Sequence, residues 1–143
     1  MTTRDVKTSK NNQQKGKNLE KRFMKWLSSQ GYWVHFMHPA PDGSQPFDII
    51  ACKGASNSGL ANVAAFDCKT LEGNRFPLSR VEDNQRTAFQ LLNLKGIHNT
   101  YFVIEITENI VHIVPSQDIE KAIKMGKKSI SMEGWYSAHM GVQ

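Results

Sequence analysis

Cysteine and long apolar stretches are both scarce in this 143-residue chain, and each scarcity removes a class of protein. Cys52 and Cys68 are the only cysteines, so a disulfide scaffold is not indicated, and two cysteines without other close ligands do not make a zinc site. No apolar run approaches the roughly 18–20 residues of a membrane helix, and the opening MTTRDVKTSK is polar where a signal peptide has its apolar stretch. There is no Asn-x-Ser/Thr sequon either, so the expected setting is the reducing cytoplasm, away from membranes. Two chemistries are also missing. No Gly-x-Ser-x-Gly elbow offers an acyl-transfer nucleophile, and the glycine-bearing stretch 54–59 lacks the following Lys-Ser/Thr of a phosphate-binding loop, so no organic cofactor is expected.

What remains suffices for a core. Hydrophobic residues are 39% of the chain and charged residues 22%, a balance that folds, and the length suits one domain. The net charge of +5 is unevenly placed. Residues 1–25 carry eight Lys and Arg against Asp5 and Glu20, whereas the rest of the chain is close to neutral. Residues 1–15 have one aliphatic residue after Met1, Val6, and no periodicity, so they are expected to be a flexible basic arm ahead of a single domain over 16–143. Such an arm suits a polyanion partner, since Lys and Arg at phosphates release counterions, but charge alone fits a solubilising tail equally well.

Helical spacing of Leu19, Phe23, Trp26 and Leu27 predicts a first helix over 17–30, capped by Asn18 and ended by Gly31. Aromatic and β-branched runs predict strands over 32–37, 47–52 and 63–69, following one another as a meander with a loop between the last two. Ser79 to Glu82 has capping-box spacing ahead of a helix ending near Gly96. Strands over 101–104 and 110–114 and a helix over 118–125 follow, and the tail beyond Lys127 matches no single element. This order is α/β: a central mixed sheet flanked by helices. Trp26, Trp33, Phe36 and Phe66 are expected in its core.

Charges inside apolar strands are costly unless paired or metal-bound, and three stand out: Asp48, Asp67 and Lys69. Asp67 and Lys69 are two apart on one strand, so they share a face about 7 Å apart. With Asp48 on a neighbouring strand, two carboxylates and an ammonium converge, which suits Mg²⁺ completed by water and substrate phosphate. Alone, Asp-x-Lys reads as an ordinary ion pair at a strand end. Glu20 shifts the balance, because on a helical wheel it lies about 100° from Leu19 and borders the buried face. Gln85, one turn into the second long helix, is by itself a surface residue. His35 and His38 fall on alternating faces and do not suggest a metal pair.

Taken together, Gly16-Lys17-Asn18-Leu19-Glu20, Pro46-Phe47-Asp48, Asp67-Cys68-Lys69, Phe76-Pro77-Leu78 and Asn84-Gln85 resemble the PD-(D/E)xK nuclease superfamily, and within it the RecU-type Holliday-junction resolvases. The resemblance implies a restriction-endonuclease-like fold with a helix-strand-strand-strand-helix-strand core. It implies that Glu20, Asp48 and Asp67 bind Mg²⁺, for which Mn²⁺ can substitute, that Lys69 assists the attacking water, and that Gln85 helps hold the site. The family more often has Glu where Asp67 stands, and the long insertion of cellular members is here only the short stretch 53–62, as in a minimal or phage-type member.

The resulting expectation is a metal-dependent endonuclease that resolves four-way DNA junctions in recombination and repair. Two symmetric cuts call for a homodimer, with Trp135 and Tyr136 as candidate surface aromatics. Lys7, Lys10, Lys15, Lys17 and Arg75 are the expected DNA contacts. A restriction-like or repair nuclease acting on other DNA structures shares the same metal constellation, and a non-catalytic DNA-binding module remains the alternative from another class.

Overall fold

A computed structural model describes the backbone of residues 3–54 and 62–141, and the side chains of 14–54 and 62–141. The first helix, α1 (Thr3–Ser29), is longer than its apolar spacing predicts. Helical backbone runs through the stretch expected to be an irregular arm. Asn18 is therefore an interior residue and not a cap, and its Oδ1 accepts a hydrogen bond from Gln14 Nε2 at 3.0 Å. Gly31, with φ of 91°, ends the helix in the left-handed region that glycine adopts without strain.

The chain then forms β1 (Trp33–Phe36), β2 (Ile49–Lys53) and β3 (Asn62–Thr70), an antiparallel meander as the sequence predicts. Lys53 pairs with Asn62 at the base of the connecting hairpin, whose residues 55–61, including most of the glycine-bearing stretch considered above, lie outside the described residues. After β4 (Arg75–Pro77), a 3₁₀ turn (Leu78–Arg80) and α2 (Asp83–Leu94), the chain returns as β5 (Asn99–Thr107), parallel to β3. The remaining elements are β6 (Ile110–Pro115), α3 (Ser116–Lys124), β7 (Ser129–Ser131) and β8 (Ser137–His139). The main sheet has the order β1-β2-β3-β5-β6-β8, while β4 and β7 pair separately. The fold is thus an open mixed sheet flanked by helices.

Each face of the sheet has its own core. On one side Leu19, Phe23 and Leu27 of α1 pack on Ile49, Ala51, Ala64, Phe66 and Val103, with the Phe23 and Phe66 rings edge-on at 5.0 Å between centroids. On the other side Phe89 of α2 and Ile119 of α3 cover Phe47, Ala65, Phe102, Ile104 and Val114. Strands β3 and β5 are therefore buried on both faces, the pattern expected of central parallel strands. Arg22 fastens α1 to the sheet through a forked hydrogen-bonded pair with Glu105 of β5 and a 3.1 Å bond to Asn109 Oδ1.

Two further expectations fail. Trp33 is 60% exposed and stacks on His35 at 5.9 Å, because edge strand β1 has only one covered face and Val34 and Phe36 occupy it. The capping box is not Ser79 with Glu82. Glu82 is itself the N-cap of α2, and Gln85 Oε1 accepts the Glu82 N–H at 3.1 Å, while Ser79 sits in the preceding 3₁₀ turn. The buried Phe23 and the exposed Trp33 are separable by mutation. Phe23→Ala should cost about 3–5 kcal/mol in denaturant unfolding, whereas Trp33→Ser should change stability by no more than about 0.5 kcal/mol; equal losses would return Trp33 to the core.

Candidate active site

Asp48 is placed by the backbone before its side chain is considered. It immediately precedes β2, and its carbonyl accepts the Met37 N–H at 2.8 Å while its own N–H donates to Phe66 O at 3.0 Å. The side chain then turns along the sheet, where Oδ2 accepts the Cys68 N–H at 2.7 Å. Asp67 and Lys69, on the face of β3 that looks toward α2, lie side by side with Nζ 3.1 Å from Asp67 Oδ2. Glu20 comes from the opposite layer, half-buried beside Leu19 at the rim of the α1 core. Gln85 is held by its Oε1, which accepts the Glu82 N–H, and the residue lines the cleft at the helix start. All five residues line one polar cleft of about 270 Å³.

The rest of the lining is a turn and a helix start. Gly43 has φ of 85° in the turn preceding Asp48, and Asp42 Oδ1 accepts from both the N–H and the hydroxyl of Ser44, at 2.9 and 2.6 Å. Asn84 Nδ2 donates to Gln45 O at 2.7 Å, tying α2 to that turn. Gln45 in turn donates to Met37 O. Glu82, Ser44 and Gln45 are cleft residues that sequence reasoning did not single out as such. Glu82 was hidden by its expected place inside a cap, and the two loop residues had no periodicity to mark them. A larger cavity of about 400 Å³ lies between α2 and α3; of its charged lining, Arg86 and Glu120 are bonded to each other at 2.8 and 2.6 Å, and the other two charged residues, Lys121 and Lys124, are both basic, so it has no cluster of acids.

Three acids crowded into a partly dry cleft resist ionisation. Burial, reinforced by the neighbouring Asp48, pushes Glu20 up to about 7, with Lys17 opposing. Burial and the Asp48 charge push Asp67 up to about 8, against the pull of Lys69. Burial also raises Asp48, although the Cys68 N–H and Lys69 favour its charged form. The Cys68 thiol is raised well above its usual range by burial and by these three carboxylates, so it is an inert neighbour and not a nucleophile.

The cleft's fit to a divalent cation can be judged from its atoms. Among the described residues no three His, Cys, Asp or Glu side chains are gathered so that they could hold a metal ion as they stand. Mg²⁺ does not ask for this, since it commonly takes one or two carboxylates and completes its octahedron with water and phosphate. Asp67 is buried with Lys69 Nζ 3.1 Å from its Oδ2 and the Asp48 carboxylate beside it, a cluster with more acceptor oxygens than cations. The protons these clustered acids hold are what a bound cation would displace. The donor set therefore fits a hard, oxygen-seeking ion.

Of the expected DNA contacts, Lys15 and Lys17 are exposed on α1, and exposed Arg75 is braced on β7 by a 3.1 Å bond from Nε to Ser129 Oγ. The side chains of Lys7 and Lys10 lie outside the described residues. Trp135 is half-buried with its indole N–H bonded to Ser131 O at 2.9 Å, whereas Tyr136 is 66% exposed. No helix among the described residues is long and apolar enough to cross a membrane.

Because Glu20 and Asp67 hold protons in the folded state up to about pH 7 and 8, well above their ordinary values, the folded protein binds more protons than the unfolded chain in between. Without divalent cation, unfolding free energy should be greatest near pH 5 and fall as pH rises through about 8. Asp67→Asn should flatten that decline. Denaturant titrations of both proteins across this range check it, and a stability that climbs with pH would contradict the raised carboxylates.

No protein-family model matches the chain, and no curated protein matches it by sequence. Among solved structures it is similar to Hjc of Archaeoglobus fulgidus, described as a Holliday junction resolvase from an archaeal hyperthermophile, with a TM-score of 0.57 and 18% identity over 83% of this chain and 88% of that one. At this identity the likeness is one of fold. It does not reach a RecU-type identity, and what it shows is the restriction-endonuclease-like α/β fold.

Proposed function

We propose that this protein is a metal-dependent endodeoxyribonuclease that hydrolyses phosphodiester bonds in branched DNA, four-way junctions foremost. The observation that carries the reading is the buried Asp67, paired with Lys69 at 3.1 Å and set beside Asp48 in a polar cleft at the edge of a restriction-endonuclease-like sheet. The fold likeness to an archaeal junction resolvase supports the substrate class.

In this reading Asp48 and Asp67, with Glu20 from α1, hold Mg²⁺ or Mn²⁺. The bound ion supplies positive charge for the phosphate oxygens and makes a nearby water more acidic. The chain's own groups do the rest. The three acids release their protons as the site is loaded, so loading is favoured by rising pH. Lys69, kept in place by Asp67, directs its ammonium at the cleft, where it orients the attacking water and offsets charge that develops on the phosphoryl oxygens. The Gln85 amide, fixed through Glu82, offers a donor at the cleft wall. Two cuts related by a twofold axis make a homodimer the natural assembly for junction resolution.

Purified protein incubated with labelled four-way junction, duplex, flap and single strand should nick the junction symmetrically with Mg²⁺ and nothing with EDTA. Cleavage of flaps or duplex alone would redirect the reading to another nuclease of this fold. Asp48→Asn and Asp67→Asn should each abolish cleavage while junction binding persists in calcium buffer, and Lys69→Ala should lower turnover more than metal affinity. Parallel loss of binding and cleavage would assign these residues a structural role.

Residues 1–15 carry four basic residues against Asp5, and we assign this segment to the DNA backbone. Its deletion removes the first turns of α1 but leaves the Leu19, Phe23 and Leu27 anchor. The truncated protein should unfold at nearly the same temperature and bind junctions with a shallower salt dependence, each lost phosphate contact reducing the slope by about 0.9. An unchanged slope makes the segment a solubilising extension.

A further inference from the structure

A second cation-bearing surface adjoins the cleft. Strands β4 and β7 form a ribbon of their own, and the directly paired Phe76 and Ile130 on its inner face are buried in the core. This anchoring fixes which face looks outward. Arg75 stands there opposite Ser131, and the chain enters β7 through exposed Lys127 and Lys128. The Leu78 N–H donates to Lys128 O at 2.9 Å, which holds the lysine pair beside the 3₁₀ turn. Arg75 donates from Nε to Ser129 Oγ at 3.1 Å and from Nη2 to Ser129 O at 3.4 Å, so its guanidinium is held against the ribbon. These groups border an open groove of about 690 Å³ in which Glu133 is the single acidic lining residue.

Arg80 ties this ribbon to β3, the strand that carries Asp67 and Lys69. Its guanidinium lies over the Phe76 ring, 5.7 Å from the centroid, and donates to the carbonyl of Thr70, the residue that follows Lys69. Among the described residues none of Arg75, Arg80, Lys127 and Lys128 is in an ion pair, although Glu133 and, in the preceding turn, Glu72 are near in sequence or space. Unpaired cations with serine hydroxyls on a rigid ribbon, leading to a cleft built for a phosphodiester, match a phosphate backbone.

We propose that the β4–β7 ribbon and Arg80 form a track for the phosphates of the DNA strand that enters the cleft, with Lys127 and Lys128 at its far end. The inference rests on the nuclease reading and adds the path of the strand. Because the track offers charge and hydroxyl groups to the backbone, its contribution should be the same for every base sequence.

The test is junction binding by the full chain across a salt series in calcium buffer, together with cleavage in Mg²⁺, for the wild type, Lys127→Gln/Lys128→Gln, and a control, Lys53→Gln/Lys95→Gln, that removes the same charge far from the cleft. The track variant should bind about tenfold more weakly or worse near physiological salt, with a slope of log K on log salt shallower by about 1–2. The control should keep the wild-type slope. Arg75→Gln provides a second variant should the lysine pair impair folding, and thermal unfolding identifies that case. A wild-type slope in the track variants, or an equal drop in the control, overturns the track. Wild-type protein that binds no DNA overturns both the track and the nuclease reading, whereas wild type that binds and cuts beside unchanged track variants overturns the track alone.

Discussion

A carboxylate held in a strand that is covered on both faces is the constraint around which this molecule is arranged. Residues Ala64 to Cys68 of β3 are buried without interruption, and Asp67 lies inside that run at 1% exposure. An isolated buried charge there would be prohibitively costly, so the surroundings must supply a proton, a cation or both. Lys69 supplies one cation, and burial makes Asp67 a weaker acid, so that a proton supplies the remainder. Asp48 is drawn into the same balance through its bond to the Cys68 N–H, and Glu20 through Asp48. The helix, the loop and two strands are thereby committed to a single electrostatic problem.

Much of this was legible in the amino-acid order because local rules and packing agree. The α1 stripe of Leu19, Phe23 and Leu27 has one apolar face and buries it. The period-two alternation of β3 put Asp67 and Lys69 on one side, and they are neighbours there. Glu20, about 100° from Leu19 on the wheel and so at the border of the buried face, lines the cleft for the same geometric reason. The order of the sheet was less visible, since the parallel pairing of β3 with β5 depends on a crossover whose length does not announce its direction.

What stayed illegible depends on contacts far apart in sequence or on positions without a pattern. Trp33 was expected inside because large aromatics usually are, but only the sheet's edge decides that β1 has a single covered face. Strands β7 and β8 are three residues each, too short for periodicity, and exist because β4 and β6 offer partners. The start of α2 was misplaced since two acceptable caps, Ser79 and Glu82, compete three residues apart, and the 3₁₀ turn claimed the first. The helical backbone of α1 before Asn18 has no apolar stripe to declare it.

The bond between the Glu82 N–H and Gln85 Oε1 belongs at once to the helix and to the cleft wall. Helix ends fray more readily than helix centres, and a frayed first turn here would release Gln85 and Glu82 together and slacken the Asn84 tether to the Gln45 loop. The shape of the cleft is therefore governed by a local melting equilibrium that the global stability of the fold does not report. Two homologous proteins with equal melting temperatures could differ widely in how often their clefts are intact, with the difference written in a single helical turn.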